Sequence, residues 1–248
     1  TLPALELFDL DVNWDEPSMV DGHFWYAQFS VGTERSEAGN LGYTNVDLEF
    51  VIPTYGLDLT PATQDGYGDP GVTVTHTLTL TNLGNTTDTF DLTFADNLWI
   101  ASISDTSLTL AGGASADFTI DVTVPMDALA GAMDTATITA TSASDPLVTA
   151  DAVVNTYANA VYDITLTPAT DAASDLPGTM VTYILTLANL GNAEDTITVA
   201  ASGNLWDVNL PETSFVVPVG GTAEVTVEVT IPVDALNGAF DVATITAT

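Results

Sequence analysis

The stretch VTVTHTLTLTN, residues 72–82, alternates without a break: Val72, Val74, Leu78 and Leu80 fall on one side, and Thr73, Thr75, Thr77 and Thr79 on the other. A period of two belongs to a strand whose successive side chains point to opposite faces, so this segment is predicted to be a strand buried on one face. The pattern recurs. Phe118, Ile120, Val122 and Val124 alternate with Asp117, Thr119, Asp121 and Thr123. Val181, Tyr183, Leu185 and Leu187 do the same further on, as do Val225, Val227, Val229 and Ile231. Turn signals at Asp69-Pro70-Gly71, Gly84-Asn85, Gly112-Gly113 and Pro125 divide the runs at intervals of about ten residues.

The recurrence is a duplication. Residues 56–141 align with residues 163–248 at a constant offset of 107 with no gap, and close to half of the positions are identical. The shared blocks are LTPAT (59–63, 166–170), NLGN (82–85, 189–192), NLW (97–99, 204–206), DALAGAMD against DALNGAFD (127–134, 234–241), and a closing ATITAT. Short, evenly punctuated strands in units of about 100 residues predict an antiparallel sandwich of seven or eight strands in each copy. Trp99 and Trp206 are expected between the sheets. The repetition of Asp127 and Asp134 as Asp234 and Asp241 argues for a turn that the fold requires.

The runs NLGNTTDTFDLTF, NLW, SLTLAGGASADFTIDVTVPMDALAG and TITATS resemble the immunoglobulin-like repeats of bacterial and archaeal secreted and cell-surface proteins, including the alpha-galactosidase-associated type. This resemblance implies an all-β chain of two tandem antiparallel Ig-like sandwiches, residues 56–158 and 159–248, behind an N-terminal β segment of residues 1–55. It also implies an extracellular or cell-surface location. Such modules serve as stalks, spacers, adhesin segments and accessory domains, so the resemblance says little of function. Residues 4–14, 22–32 and 46–54 read as three further strands, too few for a sandwich of their own. Val46–Thr54 reads as the last strand of a preceding sandwich, because VIPTYGLDLTP is similar to ANAVYDITLTP at the boundary between the copies. The run WYAQFSVGTERSEAGNLG loosely resembles the small β-domain downstream of the catalytic domain in secreted subtilisin-like peptidases, whose catalytic residues have no counterpart here.

Composition narrows the function. The chain holds 34 acidic residues against one base, Arg35, for a net charge of -33, and no cysteine. Nucleic acid is excluded as a partner because phosphate contacts need Lys and Arg. Thiol chemistry and disulfides are excluded as well. No apolar run of about 18 residues is present, so no membrane insertion is expected. Either calcium binding or adaptation to high salt accounts for the acidity, and composition does not choose between them. Candidate Ca²⁺ ligands are Asp65 with Asp69 and Asp171 with Asp175, in segments read as loops near the domain junctions. Asp9, Asp11, Asn13 and Asp15 have the alternate spacing of a calcium loop but read better as one face of a strand, since Trp14 stands where the turn glycine belongs. Asn85-Thr86-Thr87 is a glycosylation sequon in a predicted turn.

Catalysis has little material. His76 aligns with Tyr183 and reads as a core or sheet-edge residue, His23 sits among aromatic residues, and no enzyme activity is expected; acidification toward pH 5 is not expected to act through either histidine. Glycans are a candidate partner through Trp14, Trp25 and Tyr26. The first copy supplies a further strand, LVTADAVVNTY, after its ATITAT, whereas the second copy ends at Thr248. A sandwich short of one strand is a template for strand addition. The expectation is therefore a filament, stalk or layer subunit that polymerises head to tail. Its donor is Ala4–Trp14, through Leu5, Leu7, Leu10, Val12 and Trp14, or else Val46–Thr54. The other readings are the non-catalytic accessory region of a secreted hydrolase and a carbohydrate-binding adhesin module.

Overall fold

A computed structural model describes residues 24–31, 42–49 and 51–248. The described residues form strands and turns and no helix. The first two strands, β1 (Phe24–Val31) and β2 (Gly42–Glu49), pair antiparallel, with Phe24 opposite Glu49 and Val31 opposite Gly42. The strand anticipated at 46–54 thus begins four residues earlier and stops at Glu49. Residues 51–56 are a connector without ladder bonds, where Pro53 has no N–H to donate.

Sandwich 1 contains β3 (Leu57–Thr60), β4 (Thr63–Gly68), β5 (Thr73–Asn82), β6 (Asp88–Ala95), β7 (Ile100–Ile103), β8 (Ser107–Leu110), β9 (Ser115–Thr123), β10 (Met133–Ser142) and β11 (Thr149–Ala158). One sheet has the order β3-β5-β9-β7 and the other β4-β11-β10-β6-β8. All pairs are antiparallel except β4 with β11, which run parallel. From Val74 onward the alternation read from the sequence is the burial pattern, whereas Val72, just before β5, is exposed. Leu78 and Leu80 on β5 meet Phe118, Ile120 and Val122 on β9, and Phe90, Leu92, Ile138 and Val154 close the core from the opposite sheet. Outward threonines on β5 donate to carboxylates on β9, Thr75 to Asp121 and Thr79 to Asp117, both at 2.6 Å. The acidic face is therefore tied into the sheet by cross-strand pairs. Trp99 is half-buried and packs against the core at one end.

Sandwich 2 repeats the plan with β12 (Ile164–Thr167), β13 (Met180–Asn189), β14 (Asp195–Ser202), β15 (Asp207–Asn209), β16 (Ser214–Val217), β17 (Thr222–Thr230) and β18 (Thr244–Ala247). Its sheets have the orders β12-β13-β17-β15 and β16-β14-β18. Two strands of sandwich 1 have no described counterpart. They are β11 and β4, which pair with each other. Residues 171–178, at the positions of 64–71, form no strand here. The segment 64–71, read as a loop from its Asp and Gly content, is largely the strand β4. Its partner β11 makes the difference, because a strand persists where a neighbour takes its backbone groups.

Candidate functional site at the sandwich junction and the open edge

The repeated motifs resolve into three polar anchors. The first Asn of each NLGN block is buried and holds its own loop. Asn82 Nδ2 donates to Thr86 O and Leu110 O, both at 2.9 Å, and its Oδ1 accepts from Gly84 N at 2.8 Å. Asn189 makes the same three bonds to Ala193 O, Val217 O and Gly191 N. The second anchor is the Asp that closes each DALxGxxD block. Asp134 is buried and accepts from Leu98 N at 2.8 Å and Trp99 N at 3.1 Å, and Asp241 accepts from Leu205 N and Trp206 N. This ties the first NLW turn to β10 and the second to the segment just before β18. Burial alone would raise the Asp241 carboxyl, but the amides of Trp206, Leu205 and Val242 hold it below the ordinary carboxylate range. The turn needs a left-handed residue just before NLW, supplied by Gly203 in one copy and by Asp96, at φ 70, in the other.

The third anchor joins the sandwiches. Asn192, the second Asn of its NLGN block, accepts from Val161 N at 2.7 Å and donates to Asn159 O at 2.9 Å and to Ala128 O at 3.0 Å. Ala130 N returns a bond to Asn192 O at 3.0 Å. One side chain of sandwich 2 thus grips both the connector and the DALAG turn of sandwich 1. Asn85 grips the connector one repeat earlier, accepting from Thr54 N at 2.8 Å and donating to Ile52 O at 2.9 Å. The glycine between the two asparagines is required because a Cβ at Gly84 or Gly191 would collide with Thr54 O or Val161 O. The amide nitrogen at which a glycan would join Asn85 is the one bonded to Ile52 O.

The open edge lies at β18. In sandwich 1, β10 is covered by β11 over Met133–Thr141. In sandwich 2, β18 pairs with β14 over four residues, and no described strand lies on its other side. Ile138 and Ala140 are fully buried, whereas Ile245 and Ala247 are only partly so. Phe240, which follows the DALNG turn where Met133 follows DALAG, is 81% exposed. Among the described residues, no strand covers that side of the core.

The sequence-derived candidates fall as follows. Asp65 and Asp69 accept from Asn155 and Asn159 at 2.9 Å. Asp171 and Asp175 each accept from the next backbone N–H. No three His, Asp or Glu side chains are grouped to hold a metal among the described residues. Leu5, Leu7, Leu10, Val12 and Trp14 lie outside the described residues, as do Asp9, Asp11, Asn13 and Asp15. Trp25 and Tyr26 lie on β1. His76 is a core residue, 1% exposed, with Nε2 2.8 Å from Thr156 Oγ1. The junction asparagines escaped sequence reading, although their repetition beside two similar connectors was the available signal.

Among known proteins, the family model described as the VWA7 Ig-like domain matches residues 59–157, the span of sandwich 1. A search of the curated proteins finds no match. Among solved structures, a family 123 glycoside hydrolase from Clostridium perfringens is similar at TM-score 0.36 and 10% identity over 42% of this chain; the match spans 27% of that enzyme. The Pseudomonas aeruginosa CupB2 chaperone is similar at TM-score 0.33 and 7% identity, over 77% of this chain and 98% of the chaperone. The secreted serine protease VesC from Vibrio cholerae is similar at TM-score 0.32 and 15% identity, over 73% of this chain and 48% of the protease. Likeness of this degree carries no functional argument. The strand order and the family-model match together give two Ig-like β-sandwiches in tandem.

Proposed function

We propose that this chain is a non-catalytic structural protein of the extracellular space or cell surface, in which Ig-like sandwiches stack in series and an open edge of one copy is completed by a strand of another. The observation that carries this reading is the asparagine-clamped connector, which recurs before each sandwich. The hairpin of β1 and β2 precedes an Asn85-clamped connector, as the hairpin of β10 and β11 precedes the Asn192-clamped one. Among the described residues no strand lies on the far side of β18, where a strand like β11 would fit. A donor strand is therefore sought in β2 and the residues after it. Such a contact joins two different surfaces and propagates rather than closing. The resemblance of the repeated blocks to secreted and surface Ig-like repeats fits this role.

The test is assembly of the purified 248-residue chain in 1 M NaCl, where a Debye length of about 3 Å screens mutual repulsion. Light scattering and electron microscopy are expected to show linear polymers. Val46→Pro, which removes a ladder donor in β2, is expected to abolish them without changing the melting of sandwich 1. Monomers at high protein concentration, or polymers indifferent to Val46→Pro, would sink the proposal.

A further inference from the structure

Sandwich 1 carries a surface constellation that sandwich 2 lacks. On the outer face of the edge strand β4, Asp65 and Tyr67 stand opposite Asn155 and Tyr157 of β11, and Asp69 and Asn159 continue the ladder just past the strand ends. Asn155 Nδ2 donates to Asp65 Oδ1 and Asn159 Nδ2 to Asp69 Oδ1, both at 2.9 Å. The Tyr67 and Tyr157 rings stack with centroids 5.1 Å apart and planes 17° from parallel. Tyr67 nevertheless remains 64% exposed. Tyr157 covers one ring face, so the other face of Tyr67 is turned away from β11, past the edge of the sheet. Gly66 and Gly68 allow this placement, since a Cβ at either would strike Val74, and at Gly66 also His76. The corresponding residues of sandwich 2 are Ala172, Ser174 and Leu176, in a segment that forms no strand.

We propose that this edge is a binding site for a neutral sugar ring, with Tyr67 as the stacking platform and Asp65 and Asp69 as acceptors for its hydroxyls. This goes beyond the structural role above and does not depend on it. The apolar C–H face of a pyranose matches an aromatic face, and a ring already backed by a second ring loses little freedom on binding. The two aspartates are four residues apart on extended chain, about 13 Å between Cα atoms. One ammonium group could not reach both. A stacked ring, with hydroxyls projecting from opposite sides of its rim, lies between them. The asparagine amides fix the carboxylates and leave each Oδ2 to accept a hydroxyl.

Isothermal titration of the full chain with hexaoses of glucose, mannose, galactose and N-acetylglucosamine, and with spermine, tests the assignment. At least one hexaose is expected to bind. Tyr67→Ala is expected to weaken that binding about tenfold, and Tyr67→Trp to preserve it. Because Tyr67→Trp retains a stacking surface, it separates loss of the platform from loss of the strand, and the melting of sandwich 1 is followed for both variants. Failure of all four hexaoses to bind, equal binding by wild type and Tyr67→Ala, or spermine binding at Tyr67 without hexaose binding would each overturn the proposal.

Discussion

His76 occupies a position where its aligned partner is Tyr183, and the two environments differ: His76 is buried, while Tyr183 is half-buried beside the open side of sandwich 2. Burial pushes the imidazole below its ordinary value near 6.5, and Asp65 only partly offsets this. With the folded value depressed, the unfolded chain binds the extra proton first. The contribution to stability is present above about pH 6.5 and is lost as pH falls below it, with a slope of at most about 1.4 kcal/mol per pH unit. The alignment with a tyrosine predicts no histidine effect toward pH 5, whereas the depth of burial argues for one. Chemical denaturation of sandwich 1 is expected to weaken between pH 7 and pH 5, and the slope is expected to vanish in His76→Leu/Thr156→Val, which removes both hydrogen-bonding partners. A slope unchanged in that variant would place the titrating group elsewhere. Asp88 acts in a separate window. Burial would raise its carboxyl, but Ser142 at 2.5 Å, Ser144 at 2.7 Å and Thr89 N hold it below the ordinary range. Its contribution is present above about pH 4 and is lost only as pH falls further, through the folded value.

At the scale of elements, the connectors were legible only as similar strings, VIPTYGLDLTP and ANAVYDITLTP. Their shared role comes from Asn85 and Asn192, which satisfy connector groups that no ladder pairs. Asn192→Ala removes three side-chain bonds at the junction. It is expected to leave the cores of both sandwiches intact while several-fold faster proteolysis appears at residues 159–162, because local opening there becomes easier. Unchanged cleavage would mean that packing, not the asparagine, fixes the junction. The strand β4 shows the opposite limit of sequence reading. QDGYGDPG has the composition of a turn, and only parallel pairing with a strand some ninety residues downstream makes most of it a strand.

For the whole molecule, a net charge of -33 on 248 residues works against compaction, and the cross-strand Thr–Asp bonds do not cancel it. The melting temperature is expected to rise by several degrees between 20 mM and 1 M NaCl as screening shortens the range of repulsion. CaCl₂ at matched ionic strength provides the comparison, and a larger rise there would mark chelation by aspartates such as Asp65, Asp69, Asp171 or Asp175. A melting temperature independent of NaCl would show that repulsion is not what limits stability. Sequence alone determined the all-β class, the duplication at an offset of 107 and the inward-facing residues of β5, β9, β13 and β17, because strand periodicity and turn chemistry are local properties of the chain. Only the tertiary structure decided that β4 is a strand, that NLGN is a junction clamp, that Tyr67 stands on a braced sheet edge and that β18 pairs with β14. Each of these depends on which distant backbone and side chains meet, and a linear pattern does not encode that pairing.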